Sequence, residues 1–387
     1  MAGGQMAAGP GRFIHVFNSM SFRGRGHSET CYRICAPWLG MGAKTAIYTT
    51  MVDRDDPAGV VQSALPCWLP DPIKYRMQQY IGHNRLRARS EAAGLRRVRP
   101  GDICYFWPNS SADALRAARD KGAIVVIEFI NTHVGLAEQI LDAERAHFGL
   151  PEHPEKARLI YEEEERLQLA DLAFAPGPFV SSSIRSFSGA QTKLVETSYG
   201  AYLPEEGPAT DRVPGPTRFI FVGSFGLRKG ARMLLDAWEK AGLKAELQIV
   251  GSVEPLFADR VEAMAGQNVR FLGYRSDIAQ AYREADVFVF PSLEEGGPQV
   301  TYEAAAHGMP LVVTPMGGGH VADENTAIVV EPGDSDALAA ALTRLDADAD
   351  LRREMGRSAR QAAARFDWGA VSRQRLEALT EALSELP

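Results

Sequence analysis

Seven short runs stay apolar on both of their alternating faces, and they constrain this chain more than any other feature. They are Phe13–Phe17 (FIHVF), Ala43–Thr50 (AKTAIYTT), Ala123–Ile130 (AIVVIEFI), Arg218–Val222 (RFIFV), Ala245–Val250 (AELQIV), Val287–Phe290 (VFVF) and Pro310–Thr314 (PLVVT). A strand with one wet face would alternate, whereas these runs need cover on both sides. Separated by helical patterns, they predict parallel sheets between helical layers, the α/β class. Midway, Leu203–Thr217 reads LPEEGPATDRVPGPT, with no apolar periodicity, which suits an exposed hinge. Each side of it holds its own set of strands. The expected architecture is two doubly wound, Rossmann-like domains, 11–205 and 216–370. Both should offer their strand-end loops to one cleft, because such sheets bind ligands beyond the carboxyl ends of their strands.

At 387 residues, two or three domains are expected, and 45% apolar with 24% charged residues excludes wholesale disorder. A net charge of −7 argues against broad nucleic-acid binding, and no nucleic-acid partner is expected. Cys31, Cys35, Cys67 and Cys104 are too few for a disulfide scaffold, so a reducing cytoplasm is the expected location. Met1–Pro10 is Gly/Ala-rich, with no basic or apolar leader pattern, and reads as a floppy tail. No run approaches the roughly 20 apolar residues that span a bilayer.

Two strand–loop–helix segments carry the chemistry. In FIFVGSFGLRKGARMLLDAWEKAG, Gly223, Gly226 and Gly230 permit tight turns after the strand. Arg228 and Lys229 then stand just before a helix whose Leu234, Leu235 and Trp238 share one side. Two cations beside free helix-start N–H groups suit a diphosphate, although two solvated cations in an ordinary turn would read the same way. The glycine spacing is that of neither a Walker loop nor the dinucleotide fingerprint.

In VFVFPSLEEGGPQVTYEAAAHGMPLVV, a buried strand ends at Pro291, and a loop Ser292–Pro298 follows. A helix runs from about Gln299 to His307, with Pro298 near its start and Gly308 and Pro310 as its stop. Glu295 lies in the loop and Glu303 eight residues on, within the helix. Carboxylates accept hydroxyl hydrogens and so suit sugar and ribose diols, while the amides of Gln299 and Val300 suit phosphate. The bland alternative is a solvated helix with Glu303 paired to a lysine.

The ordered motifs F-V-G-S-F-G-x-R-K-G, I-V-G, N-V-R-F-L-G, A-D-V-F-V-F-P-S, E-G-x-P-x-V-x-x-E-A and G-M-P-L-V-V resemble glycosyltransferase family 4 over most of the second half. The resemblance implies the GT-B fold, two Rossmann-like domains with the active site between them. It also implies retaining transfer from a nucleotide diphosphate sugar, uridine by default, to an acceptor hydroxyl, with no cofactor and no metal. Surface polysaccharide or glycolipid synthesis, with a sugar or lipid-linked acceptor, is the expected setting. By carry-over Glu295 meets the donor sugar and Glu303 the ribose, while Arg228 and Lys229 neutralise the diphosphate. Gly223, Ser224, Tyr274, Gly296, Gly297, Gln299 and Val300 complete the donor contacts. Ser224 stands where many members carry arginine, and Gly297 where a large aromatic is usual. A C-terminal helix, about 371–387, is expected to return to the first domain.

In the first half, Gly24-x-Gly26 precedes a helix, but Glu29 occupies the third glycine position of a dinucleotide fingerprint. The resemblance gives this loop, and Gly26 above all, an approach to the donor phosphates. His133, after the strand IVVIEFI, matches a family histidine that bonds a sugar hydroxyl or the nucleophile; the competing reading is a loop histidine with no task.

Other features compete for attention. His27, Cys31 and Cys35 at i, i+4 and i+8 read better as a half-buried helix face than as metal ligands. Asp53-Arg54-Asp55-Asp56 resembles the Asp-x-Asp metal site of GT-A transferases but sits in the wrong half, and acidic turns are common. Lys74–Arg99 holds eight lysines and arginines against one glutamate. It reads either as a peripheral contact with anionic lipid at the inner face of a membrane or as a solvated helix. Three rival functions stand beside the transfer reading: a metal-dependent transferase using Asp53 and Asp55, a nucleotide-sugar epimerase of the same fold, and a non-catalytic sugar-nucleotide binding protein.

Overall fold

A computed structural model describes residues 12–22, 26–205 and 215–386. Gly24, the Met1–Pro10 segment and most of the proposed hinge lie outside them.

The first sheet has seven strands: β1 Phe13–Asn18, β2 Lys44–Thr49, β3 Val61–Ser63, β4 Ile103–Phe106, β5 Ile124–Glu128, β6 Leu172–Ala175 and β7 Lys193–Glu196. Their order is β3-β2-β1-β4-β5-β6-β7, and every pairing is parallel. The second sheet has six: β8 Arg218–Val222, β9 Glu246–Val250, β10 Val269–Gly273, β11 Val287–Phe290, β12 Leu311–Val313 and β13 Ala327–Val329. Their order is β10-β9-β8-β11-β12-β13, again all parallel. The expected pair of doubly wound sheets is therefore present. Chain order reverses between β1 and β4, and between β8 and β11, which makes the ends of β8 and β11 a topological switch point.

By its contacts the chain divides into two compact units, one built on each sheet. Residues 157–197 and 368–387 belong with the first, and 135–156 with the second.

All seven anticipated strands form. Six others, β3, β4, β6, β7, β10 and β13, were not among them. Four of these are sheet edges (β3, β7, β10, β13), where one side is wet and the apolar run breaks: VQS and KLVE carry polar residues, and Phe271 of β10 is 49% exposed. The other two, ICYF and LAFA, are internal but four residues long, too short to show a period.

The C-terminal helix Trp368–Ser384 is fastened to the first unit through its buried face, including Val371, Leu376 and Leu379. Trp38 Nε1 donates to the Ser372 carbonyl at 2.9 Å, and Ser372 Oγ donates to the Ile34 carbonyl at 2.6 Å. Cys31 and Cys35 are fully buried on the helix Gly26–Cys35, burial raises the Cys31 thiol well above its usual pKa, and among the described residues no metal-binding group forms. Beneath them Arg375 grips Glu128 with both ends of its fork, Nη1–Oε2 at 3.0 Å and Nη2–Oε1 at 3.1 Å. The Tyr105 hydroxyl also donates to Glu128, and the guanidinium lies 5.3 Å from the centre of the Phe174 ring. Both charged residues are under 3% exposed.

Such a pair is costly to break on one side only. Arg375→Ala should lower the stability of the first unit by about 3–5 kcal/mol in denaturant titration. The double variant Glu128→Leu/Arg375→Met, which removes both charges and keeps most of the volume, should lose less than the single one. A larger loss in the double variant would show that the pair stabilises by itself.

Candidate functional site

The loops that leave β8 and β11 lie side by side at the switch point because glycine lets them touch. Gly230 adopts φ +70°, and a Cβ there would lie 2.0 Å from the carbonyl oxygen of Pro291. Across this contact Leu293 N donates to the Arg228 carbonyl at 2.9 Å, and Ser292 Oγ reaches the same carbonyl at 3.1 Å. The loop after β9 closes the other side: Leu227 N donates to Glu254 at 3.1 Å, and the Ser252 and Ser224 hydroxyls meet at 3.0 Å. Gly223 takes φ +143°, with its carbonyl against Gly251. Arg228 and Lys229 fall in a 3₁₀ turn, Leu227–Lys229, directly before the helix Ala231–Ala241, as their spacing predicted.

The charged side chains gather here. Arg228 Nη1 lies 3.2 Å from Glu294 Oε2 and 3.6 Å from Glu295 Oε2, while the Lys229 ammonium pairs with Glu295. Lys229 Nζ also stands 5.2 Å from the centre of the Phe290 ring. Burial, with Arg228 beside it, pulls the Lys229 pKa well below the usual lysine range, and Glu294 opposes the shift. Ser292 Oγ fixes Glu295 from below at 3.2 Å. Both glutamates are buried, so the four charges form one largely dry cluster on two locked loops.

The helix Gln299–Ala306 begins after Pro298 and ends at Gly308, with φ +76°. Its first turn presents Gln299 and Val300, both half-buried, next to Gly296 and Gly297. One turn in, Glu303 accepts a hydrogen bond from the Tyr282 hydroxyl at 3.0 Å. Burial raises its pKa to about 6 against that hydrogen bond. Tyr274, at the carboxyl end of β10, is 76% exposed.

Sequence reasoning missed two elements. Glu294 was passed over for its neighbour Glu295, although it is Arg228's partner; the doubled Glu-Glu was the available signal. Gly317–Gly319, in the loop after β12, also went unmarked. Thr301 Oγ1 of the neighbouring helix donates to the Gly317 carbonyl at 2.7 Å, and Cβ atoms at 317 and 319 would collide with Phe290 and Tyr302.

The remaining candidates belong to the first unit. His133 is fully buried. Its backbone N–H donates to Ser183 Oγ at 2.8 Å, its Nε2 lies 2.8 Å from Glu164, and its ring stacks on Phe187. Gly26 opens its helix with φ +63° and open space where a Cβ would be, so backbone conformation alone calls for glycine. Asp56 accepts from Tyr32 and from Val61 N, and Arg54 pairs with Glu29, so this acidic turn is occupied in bracing the fold. In the basic segment Lys74 is buried and bonded to the Val52 carbonyl, whereas Arg76, Arg85, Arg89, Arg96, Arg97 and Arg99 are exposed.

Two parallel-sheet α/β units, one of seven and one of six strands, are those of the GT-B fold. Solved structures share the fold. The sucrose-phosphate synthase of Thermosynechococcus elongatus superposes with a TM-score of 0.71 at 20% identity, over 96% of this chain and 99% of that one. HepE of Anabaena, in complex with UDP and glucose, gives 0.65 at 18% identity, over 96% and 100%. Residues 216–348 match the family model described as glycosyl transferases group 1. The D-inositol 3-phosphate glycosyltransferase of Corynebacterium kroppenstedtii is 36% identical over 216 residues, 49% of this chain and 48% of that protein. The chain thus spans about half the length, or less, of the first curated relatives it matches. The likeness to group 1 glycosyltransferases is carried by the second half of the chain, residues 216–348.

The elevated Glu303 pKa has a checkable consequence. The native state holds this proton more tightly than the unfolded chain, so the stability it contributes is present below pH 4.5 and lost as pH rises through about 6. Glu303→Gln should therefore match the parent near pH 4 and exceed it in stability at pH 7, by about 2 kcal/mol. Urea titrations at both values test this; equal stabilities at pH 7 would contradict it.

Proposed function

We propose that this protein is a retaining glycosyltransferase that moves a sugar from a nucleotide diphosphate sugar, a UDP-sugar by preference, to an acceptor hydroxyl. The cluster of Arg228, Lys229, Glu294 and Glu295 at the β8/β11 switch point carries the proposal. Its two carboxylates hold the cations in place in the empty protein. An arriving diphosphate replaces them as partner of Arg228 and Lys229, which frees Glu295 to accept hydroxyl hydrogens from the donor sugar. Glu303 takes the ribose diol, Tyr274 covers the base, and Ser224, Gly223, Gly296 and Gly297 line the approach. The amides of Gln299 and Val300 complete the phosphate cradle.

The bond from the anomeric carbon to the diphosphate oxygen breaks as the acceptor oxygen approaches on the same face. Negative charge grows on the departing diphosphate, and Arg228 and Lys229 stabilise it in place, without reorganisation. The leaving phosphate takes the acceptor proton, so no protein nucleophile is required. Gly26 and His133 belong to the acceptor side of this reading, with His133, bound to Glu164, in a positioning role. The reaction uses no metal and no cofactor. The HepE structure holds UDP and glucose, which favours uridine for the donor.

A panel of UDP, GDP, ADP, dTDP and CDP, each with and without magnesium, is the first test. UDP should raise the melting temperature without metal, and Lys229→Ala should cut sugar transfer by about 10²–10³. Parental transfer rates in both Lys229→Ala and Glu295→Ala would refute the site. Turnover of donor with no acceptor present would point to epimerase chemistry instead.

The reading extends to a peripheral contact with anionic lipid in polysaccharide or glycolipid synthesis. Trp68 is 81% exposed and Tyr80 91%, beside the exposed Arg76, Arg85 and Arg89. Aromatic residues among cations suit a negatively charged interface. The protein should sediment with vesicles containing phosphatidylglycerol and not with phosphatidylcholine alone, and Trp68→Ala/Tyr80→Ala should abolish this. Equal binding to both vesicle types would reject the electrostatic contact.

A further inference from the structure

The turn that carries Arg228 and Lys229 is held from two sides. On one, Gly230 lies against Pro291, and the Arg228 carbonyl takes Leu293 N and Ser292 Oγ. On the other stands the loop after β9, which the donor contacts leave without a task. A helical turn needs an acceptor for its first N–H group, and the residue before it ordinarily supplies one from a Ser, Thr, Asp or Asn side chain. That position here is Gly226, which has no side chain and makes no such bond. Its φ of −164° is extended backbone that any residue adopts, so conformation does not call for glycine. Space does. A Cβ on Gly226 would fall 1.9 Å from Cδ and 2.0 Å from Oε1 of Glu254. The carboxyl group occupies the place of the missing side chain, and its Oε2 accepts from Leu227 N, the first amide of the turn, at 3.1 Å. Glu254 could swing away from a Cβ at 226 only by giving up that bond.

The backbone of Glu254 is tied down. Phe225 and Val253 pair as a short parallel bridge, with Phe225 N donating to the Ser252 carbonyl at 2.7 Å and Glu254 N to the Phe225 carbonyl at 2.9 Å. Pro255 follows and confines Glu254 to extended backbone, φ −64° and ψ 140°. Glu254 also precedes its own helix, Pro255–Ala263, as that helix's cap residue, and its side chain makes no cap bond there. It serves the neighbouring turn instead.

We propose that Glu254 is a positioning residue of the donor site: it caps the turn Leu227–Lys229 in place of the side chain that Gly226 lacks, and so fixes the backbone from which Arg228 and Lys229 project. A loose turn must be ordered by the ligand that binds it, whereas a capped one meets the diphosphate preformed. The consequence for the donor rests on the transfer reading above; the cap itself does not.

Two measurements on the full chain separate the cap from its consequence. Hydrogen exchange reads the cap: the Leu227 amide should exchange at least about tenfold faster in Glu254→Ala than in the parent, with the amides of β8 unchanged as the control for folding. Calorimetric titration with UDP reads the consequence. Glu254→Ala should bind UDP about five- to tenfold more weakly, and Glu254→Gln, whose amide carbonyl still accepts from Leu227, should stay near the parent. The double variant Gly226→Ser/Glu254→Ala returns a capping oxygen to its usual position and should regain most of the loss, which a merely disrupted loop would not. Unchanged Leu227 exchange, equal UDP affinity in parent and Glu254→Ala, a Gln variant as weak as the Ala variant, no recovery in the double variant, or tighter binding by Glu254→Ala would each overturn the proposal. A parent protein that binds no UDP, while its Leu227 exchange responds as expected, would instead remove the donor reading and leave the cap in place.

Discussion

A single steric contact, the α-carbon of Gly230 against the carbonyl oxygen of Pro291, determines what the candidate site can be. Only a residue without a Cβ fits there, and the positive φ independently favours glycine. With the two backbones this close, the loops after β8 and β11 exchange hydrogen bonds through Leu293, Ser292 and Arg228. Residues 66 positions apart in sequence are thereby set side by side. Four charges then share one shielded volume. Any one of them alone would be expensive to bury, and each is tolerable because an opposite charge stands within reach.

The same device recurs around the sheet end. A Cβ on Gly226 would strike Glu254, one on Gly251 the Gly223 carbonyl, and one on Gly317 the Phe290 carbonyl. At Gly251 and Gly317 backbone of neighbouring strand-end loops is therefore packed at a separation that side chains would prevent.

How much of this could be read from the sequence follows from the range of each signal. Apolar runs such as VFVF and RFIFV report burial on both faces, so the central strands and the α/β class were legible. Edge strands were not, because VQS and KLVE lack an apolar run, and neither ICYF nor LAFA is long enough for periodicity to speak. Arg228, Lys229, Glu295 and Glu303 could be picked out because each sits on a strand–loop–helix pattern. That Lys229 would contact Glu295, and Arg228 Glu294, could not, since it depends on the Gly230–Pro291 approach between distant segments.

Buried charge has two different forms in this molecule, and the difference separates scaffold from site. Glu128 and Arg375 are matched fork to carboxylate, with Tyr105 adding a further donor; nothing about the pair invites another molecule. Glu303 has its Tyr282 hydroxyl but remains a carboxyl whose pKa burial lifts to about 6. Lys229 is likewise held below its usual range by burial and by Arg228. A group in that condition is destabilised in the empty protein, and any ligand that restores the missing partner recovers the difference as binding energy. On the proposed reading a ribose diol does this for Glu303, and a diphosphate takes the place of Glu295 beside Lys229. Lys229 already has Glu295 as its ion-pair partner, whereas Glu303 is met by a hydroxyl and not by a cation. On that reading a nucleoside diphosphate addresses both groups in one molecule, its diphosphate at Lys229 and its ribose at Glu303.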